Sequence, residues 1–232
     1  MTLKKFWSMK KINEKEGEVT LYGEISDVTW WGDEVTPKQF KADLDALGDV
    51  DLISVYINSP GGDVFAGQTI YSILKRHKAK IHVYIDGLAA SIASLIAMAG
   101  DKVIMPANAM MMIHNPWTIA AGNANDFRRL ADDLDKIRDS MIVAYENKSA
   151  LTMDEIKQLM DAETWLSAND CLEYGFVDEI EEAKQTAACI DTKYFAHYQN
   201  VPEALREDVE DNNTVHNSNE HIKKKLLLEL EL

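Results

Sequence analysis

The chain has 232 residues, of which 46% are apolar, and its 24 Lys and Arg against 39 Asp and Glu give a formal net charge of −15 at pH 7. This length suits one large domain, with or without an appendage. The acidic balance argues against nucleic acid and against anionic membrane surfaces as partners, because both are bound by clustered Lys and Arg.

The first half of the chain predicts strands that alternate with helices. Residues 1 to about 16 are charged and weakly patterned, which indicates a loose N-terminal arm. Strands are predicted over 19–23, 52–57, 81–85, 102–105 and 109–113, and helices over 37–47, 64–75 and 91–99. Thr36 followed by Pro37 is a typical helix start. The alternation predicts βαβ units around a mostly parallel sheet.

The second half of the chain predicts one long helix and several short elements. The apolar residues of segment 125–148 recur every three or four positions, at Leu130, Leu134, Ile137, Met141 and Ala144. Such a helix is ~35 Å long at 1.5 Å per residue. We interpret it either as a solvated surface helix or as a projecting helix that packs on another subunit. Shorter helices are predicted over 152–161 and 169–174, and a last strand over 176–180.

Beyond about residue 183 the pattern changes. Segment 208–220 is polar with several Asn, which predicts a linker or a disordered segment. Segment 222–232 begins an apolar helical pattern. It is interpreted either as a terminal association helix or as the start of a longer chain's second region.

The cysteine count and the apolar segments bear on the compartment. Cys171 and Cys189 are too few for a disulfide framework and fit no metal-ligand spacing, which favours a reducing cytoplasm. No apolar signal core follows the basic N-terminus, and no segment approaches the roughly 20 apolar residues that span a bilayer. We therefore expect a cytoplasmic protein without a membrane span.

Two junctions between a strand and a helix carry residues suited to acyl chemistry. In Asn58-Ser-Pro-Gly-Gly62, successive glycines leave backbone N–H groups free to point at an anion, although a plain tight turn has the same sequence. In Gly87-Leu-Ala-Ala-Ser91, the serine is placed either as a nucleophile or as a helix N-cap. Ser94, one turn further on, is the weaker nucleophile candidate.

A serine nucleophile needs a base and an orienting acid. His114 follows a buried strand, where it is placed either as a general base or as a core histidine. Asp161 and Glu163 follow a predicted helix and are candidates for the acid, or ordinary surface carboxylates. No cluster of His, Cys and carboxylates has metal-ligand spacing.

These motifs occur in one order along the chain: Ile-Asn-Ser-Pro-Gly-Gly, then Gly-Leu-Ala-Ala-Ser, then Met-Ile-His-Asn-Pro, then Leu-Ser-Ala before Glu-Tyr-Gly-Phe-Val-Asp. In this combination the chain resembles the Clp protease proteolytic subunit family over about residues 18–183. The resemblance implies an α/β fold of the crotonase-like type, with stacked ββα units and a long projecting handle helix. It also implies serine endopeptidase activity inside an oligomeric ring.

By motif position the resemblance assigns Ser91 as nucleophile, His114 as general base, and the backbone N–H groups of Gly62 and Ile92 as the oxyanion hole. Glu163 stands where the family has its triad aspartate, and a carboxylate one methylene longer is still able to orient a histidine. Asp161 is the second candidate for this role. No cofactor and no metal are expected.

The two ends of the chain depart from the housekeeping family. The arm of residues 1–17 does not resemble the family's axial loops, so the resemblance leaves dependence on a Clp-type ATPase partner open. The acidic tail, 184–232, follows the protease domain of residues 18–183. Such a tail resembles the Clp-like proteases of tailed phages and prophages, which mature the phage head, and it implies capsid or scaffold proteins as partners.

Two other functions are compatible with the same motifs. One is a catalytically inactive ring or scaffold protein, in which Glu163 reports a decayed triad. The other is a crotonase-fold acyl-CoA enzyme, which keeps the oxyanion hole but uses no serine nucleophile. A Ser-Lys peptidase is disfavoured because no lysine stands in an obvious partner position.

Overall fold

The computed structural model describes residues 5–26, 28–30, 33–183, 195 and 197–203, and its elements largely follow the predicted order. The strands are β1 (Trp7–Lys11), β2 (Glu16–Tyr22), β3 (Val28–Trp30), β4 (Asp33–Val35), β5 (Leu52–Ser59), β6 (Lys80–Ala90), β7 (Lys102–Pro106), β8 (Met110–Ile113), β9 (Thr164–Ser167) and β10 (Glu179–Glu181). The helices are α1 (Pro37–Asp45), α2 (Val64–Lys75), α3 (Ile92–Ala97), α4 (Ala124–Glu146), α5 (Met153–Asp161) and α6 (Ala168–Tyr174).

These elements belong to one compact unit, and residues 195 and 197–203 belong to a second. In the second unit the N–H of Tyr198 donates to the carbonyl of Phe195, at 3.0 Å. The predicted linker over 208–220 and the apolar segment 222–232 lie outside the described residues. No helix in the described part of the chain is long and apolar enough to cross a membrane.

The main sheet is mixed and mostly parallel, which confirms the predicted α/β class. Its strand order is β1-β2-β5-β6-β7-β10, with β1 antiparallel to β2 and the other neighbours on this path parallel. The long strand β6 branches, because residues 82–84 pair with β7 whereas residues 88–90 pair with β8. Strand β9 then pairs antiparallel with β8. This branch brings the carboxyl ends of β6 and β8 side by side.

Helices cover this sheet with the apolar faces that their sequences predict. On α1 the buried residues are Phe40 and Leu44, and Thr36 accepts a hydrogen bond from the N–H of Gln39 at 3.3 Å. On α2 they include Ile70 and Leu74. All six residues of α3 are buried. A helix buried on every side is held by its surroundings rather than by its own propensity, which makes the end of β6 a rigid place for a functional side chain.

The N-terminal arm differs from its prediction. Residues 7–11 form β1, so the expectation of a loose arm is wrong for this segment. Phe6 and Trp7 are buried and pack edge to face with ring centroids 4.8 Å apart. The indole Nε1 of Trp7 also donates to Asp43, at 2.8 Å. Trp7 and Met9 alternate with Ser8 and Lys10 over only four residues of a charged segment, which is why the sequence pattern did not indicate a strand.

The end of β6 also differs from its prediction, which stops the strand at Asp86-Gly87. The strand continues to Ala90 because the pairing with β5 contains a bulge, after which Ser59 faces Ala89. The side chain of Asn58 fills the bulge by accepting a hydrogen bond from the N–H of Leu88, at 3.1 Å. The β3–β4 hairpin likewise was not predicted. The bulge depends on a contact between segments 30 residues apart, which a local pattern does not report.

The long predicted helix is confirmed as α4, which begins with a capping box on Asn123 and ends two residues before its predicted end. Its buried side chains are Met141, Ile142, Ala144 and Tyr145, all in its last six residues. Nearer its start, Phe127 is 47% exposed. The helix therefore contacts the core of its own chain with one end and presents apolar surface along the other.

Candidate active site

Ser91 and His114 meet at the branch of the sheet. Ser91 follows β6 and His114 follows β8, and the N–H of Ser91 donates to the carbonyl of Met112 at 2.9 Å. The Oγ of Ser91 lies 2.7 Å from the Nε2 of His114. Both residues are 8% exposed. A serine hydroxyl in contact with an imidazole is the arrangement that general-base activation of a nucleophile requires.

The backbone of Ser91 adopts a conformation that few residues other than glycine adopt. Its φ is 54° and its ψ is −129°. Such a conformation costs about 1–3 kcal/mol, and it persists only where the surroundings enforce it. The Ser91 side chain makes no capping hydrogen bond to α3. Its hydroxyl contacts His114 instead, which distinguishes the site from an ordinary helix N-cap.

Glu163 acts on His114 through its charge. It comes directly before β9, and the pairing of Ile113 with Thr164 places it beside the strand end that carries His114. Burial lowers the pKa of His114 below its ordinary value, and the negative charge of Glu163 partly opposes that change. The charge of Glu163 therefore stabilises the imidazolium form of His114.

Asp161 has a different contact. Its carboxylate accepts a hydrogen bond from the Nδ2 of Asn115, at 2.8 Å. It is thus engaged by the residue that follows His114, and Glu163 is the carboxylate that influences the imidazole. No group of three or more His, Cys, Asp and Glu that suits a metal ion occurs among the described residues.

The glycine loop after β5 lies against Ser91. A Cβ on Gly61 would lie 2.6 Å from the Cβ of Ser91, so only bare backbone fits there. Gly62 is bridged to Ile25: the N–H of Ile25 donates to the carbonyl of Gly61, and the N–H of Asp63 donates to the carbonyl of Ile25, each at 2.8 Å. In this pairing pattern the N–H of Gly62 points to the other side of the loop.

The N–H of Ile92 is the second predicted donor. Ile92 is the first residue of α3, where an N–H has no partner within its helix. Ile92 directly follows Ser91 in the chain, so its N–H lies close to Ser91. The role of the Gly62 and Ile92 N–H groups as one anion site stays a prediction.

Two hydroxyl groups behind Ser91 complete the site. Ser94, the weaker nucleophile candidate, donates its hydroxyl to the carbonyl of Ser91 at 2.6 Å and contacts the hydroxyl of Tyr145 at 2.8 Å. Sequence reasoning did not single out Tyr145. Its only signal was its place beside Ala144 on the apolar face of α4, and that signal says nothing of a partner 51 residues away.

Comparisons with known proteins agree with the residue pattern. A family model described as Clp protease matches residues 11–184. The ATP-dependent Clp protease proteolytic subunit of Bacteroides fragilis is 33% identical over 153 residues, which cover 64% of this chain and 74% of that protein. The protein of the same name from Deinococcus radiodurans is 32% identical over 140 residues, covering 59% of this chain and 68% of its own length. The family match includes every residue of the site described above.

Proposed function

Because this chain belongs to the Clp protease family, we propose that it is a serine endopeptidase in which Ser91 is the nucleophile. The observation that carries this proposal is the 2.7 Å contact between the Oγ of Ser91 and the Nε2 of His114 at the end of two buried strands. The charge of Glu163 on His114 supports it further.

The proposed hydrolysis uses the contact between Ser91 and His114. His114 removes the hydroxyl proton while the Oγ of Ser91 forms a bond to the peptide carbonyl carbon. The carbonyl oxygen becomes an anion, which the N–H groups of Gly62 and Ile92 bind. His114 then gives its proton to the leaving amine as the carbon–nitrogen bond breaks. Water repeats the sequence on the acyl-enzyme and releases the second product, and Glu163 stabilises the charged imidazole in both halves.

Fluorophosphonate labelling tests the nucleophile. We expect the purified protein to gain one adduct by intact mass, because an activated serine attacks phosphorus as it attacks a carbonyl. Ser91→Ala should abolish the adduct and peptide hydrolysis. Ser72→Ala, on α2, is the control and should label like the wild type.

Three outcomes would oppose the proposal. Labelling that persists in Ser91→Ala would contradict the assignment of the nucleophile. An assembled protein that never labels would favour the inactive ring or scaffold component. Thioester turnover that survives Ser91→Ala would favour an acyl-CoA enzyme.

We also propose that α4 joins copies of this chain into rings, with two rings meeting along their handle helices. The support is the exposed apolar surface at the start of α4 and before it, where Trp117 is 47%, Ile119 68% and Phe127 47% exposed. An exposed apolar surface of this kind is typical of an interaction site.

Phe127→Asp is expected to reduce the size of the assembly, because a carboxylate in an apolar interface loses its hydration without a partner. Sedimentation velocity at micromolar concentration measures this. Ile12→Asp, an equal change at an exposed residue outside α4, should leave the sedimentation coefficient unchanged. Wild-type protein that sediments only as a 26.2 kDa monomer would contradict the ring.

The biological setting that we propose is the maturation of a phage or prophage head in the cytoplasm, independent of a Clp-type ATPase. Independence from the ATPase is supported by residues 7–11, which pair with β2 as part of the sheet rather than forming a separate loop. The cytoplasm is supported by Cys171, which is a free, buried thiol, as expected in a reducing compartment. Capsid and scaffold proteins that remain intact in the presence of the active ring would contradict this setting.

A further inference from the structure

A pair of hydroxyl groups connects helix α4 to the nucleophile. Ser94 and Tyr145 are both 0% exposed. The hydroxyl of Ser94 lies 2.6 Å from the carbonyl oxygen of Ser91 and 2.8 Å from the hydroxyl of Tyr145. The N–H of Ser94 donates to the same carbonyl, at 3.0 Å. One carbonyl oxygen therefore accepts two hydrogen bonds from a single residue.

The direction of each hydrogen bond in this group follows from proton counting. A carbonyl oxygen only accepts, so the single hydroxyl proton of Ser94 is used toward Ser91. The contact with Tyr145 must then use the tyrosine proton, with Ser94 as acceptor. Burial raises the pKa of Tyr145, so the phenol stays a donor across the working range of the protein. The chain of donors runs from Tyr145 to Ser94 to Ser91.

The carbonyl of Ser91 and the N–H of Ile92 are two ends of one peptide group. That group is planar, and in its trans form the carbonyl and the N–H point in opposite directions. A rotation that turns the Ile92 N–H away from the substrate also turns the Ser91 carbonyl, and it breaks both hydrogen bonds from Ser94. We propose that Ser94 and Tyr145 are positioning residues that fix this peptide plane and thereby aim the Ile92 N–H at the oxyanion.

This inference rests on the proposed function and adds two residues to it. Neither hydroxyl reaches the substrate, since both lie behind the peptide plane in the core. The two hydroxyl groups act by orienting the Ile92 N–H. This donor binds the transition state more strongly than it binds the substrate. Hydrogen bonds in such a chain also polarise one another, which strengthens the Ile92 N–H as a donor. The expected consequence is a change in kcat with little change in KM.

The test is a double-mutant cycle of Ser94→Ala and Tyr145→Phe, assayed by peptide hydrolysis. Losing an oxyanion donor outright costs about 10²–10³ in kcat. Here the donor remains but is less well aimed, so we expect a loss of roughly tenfold to a hundredfold for Ser94→Ala and a smaller loss for Tyr145→Phe. Because Tyr145 acts through Ser94, adding Tyr145→Phe to Ser94→Ala should cause no further loss of kcat.

A peptide boronic acid separates positioning from a purely structural role. Its adduct with Ser91 places an oxygen where the oxyanion forms, so its affinity should fall by the same factor as kcat/KM in each variant. The acid limb of the pH profile should not move, because the pKa of His114 is set by its burial and by the charge of Glu163. The free energy of unfolding should rank the variants in a different order from kcat. Ser94→Ala leaves the tyrosine proton buried without an acceptor, and the double variant should regain part of that lost stability.

Tyr71→Phe is the matched control, because Tyr71 lies on α2 outside this chain of hydroxyls. It should match the wild type in kcat and boronate affinity. Equal kcat in wild type and Ser94→Ala, or additive losses in the double variant, would overturn the inference. A wild-type protein that neither hydrolyses peptide nor labels with fluorophosphonate would instead overturn the proposed function, so the two failures are distinguishable.

Discussion

Gly62→Ala is expected to destabilise the protein by about 4 kcal/mol, from backbone strain of about 1–3 kcal/mol and overpacking of similar size. Gly62 has a φ of +145°, and a Cβ placed there would lie 1.9 Å from the carbonyl oxygen of Ile25. That oxygen belongs to backbone held in the bridge between the two residues, so it is not free to move aside. Urea unfolding at fixed protein concentration measures the loss.

Gly48→Ala is the control that isolates the collision. Gly48 also has a positive φ, +76°, but no atom lies within 4 Å of the Cβ that alanine would add. Only the strain of the left-handed backbone should appear there, about 1–2 kcal/mol. Equal losses at the two positions would show that the approach of Gly62 to Ile25 does not constrain the loop.

Glu163→Gln is expected to lower kcat on the order of 10³-fold and to move the acid limb of the pH profile to lower pH. The loss of rate follows because an amide does not stabilise the imidazolium as a carboxylate does. The shift follows from the pKa of His114. Burial already holds that pKa below 6.5, and Glu163 raises it again in part. Removing the charge therefore lowers the pKa further, and His114 stays neutral to lower pH.

The measurement is kcat/KM for a fluorogenic peptide between pH 4.5 and 8 in both proteins. Asp161→Asn is the matched control, since it makes the same change of carboxylate to amide two residues away and keeps an oxygen for Asn115. It should stay within about threefold of the wild type. An acid limb in Glu163→Gln that coincides with the wild type would show that the Glu163 charge does not act on His114.

The elements that the sequence predicted well have local causes. The cap of α1 on Thr36 and the capping box of α5 on Thr152 are both decided within four residues, so a motif is sufficient to place them. β1 and the end of β6 depend on pairing and on a bulge opposite Asn58. The contact of Asn58 with Leu88 spans 30 residues, and no local window of sequence contains it. β1 pairs with the next strand along the chain, but its apolar alternation is too short to identify it.

The residues of the candidate site also differ in whether the sequence alone could identify them. Ser91 and His114 were identifiable because each follows a strand in a characteristic motif, and the structure brings their side chains together. Tyr145 was not identifiable, because its hydroxyl acquires a role only through a contact between α4 and α3. The preference for Glu163 over Asp161 came from motif position. The effect of the Glu163 charge on the pKa of His114 supports this preference.

Because the pairing of β6 is branched, the strands next to Ser91 and Glu163 differ in how easily they open locally. Within the described sheet, β6 pairs with β5, β7 and β8, whereas β9 pairs with β8. Releasing β6 breaks three ladders together, so we expect its amide protons to exchange with solvent only when the whole unit unfolds and those of β9 to exchange through smaller fluctuations. Ser91 thus follows the strand that we expect to be best protected, and Glu163 precedes one that we expect to be weakly protected. A fluctuation that frees β9 would therefore displace Glu163 while Ser91 stays in place at the end of β6.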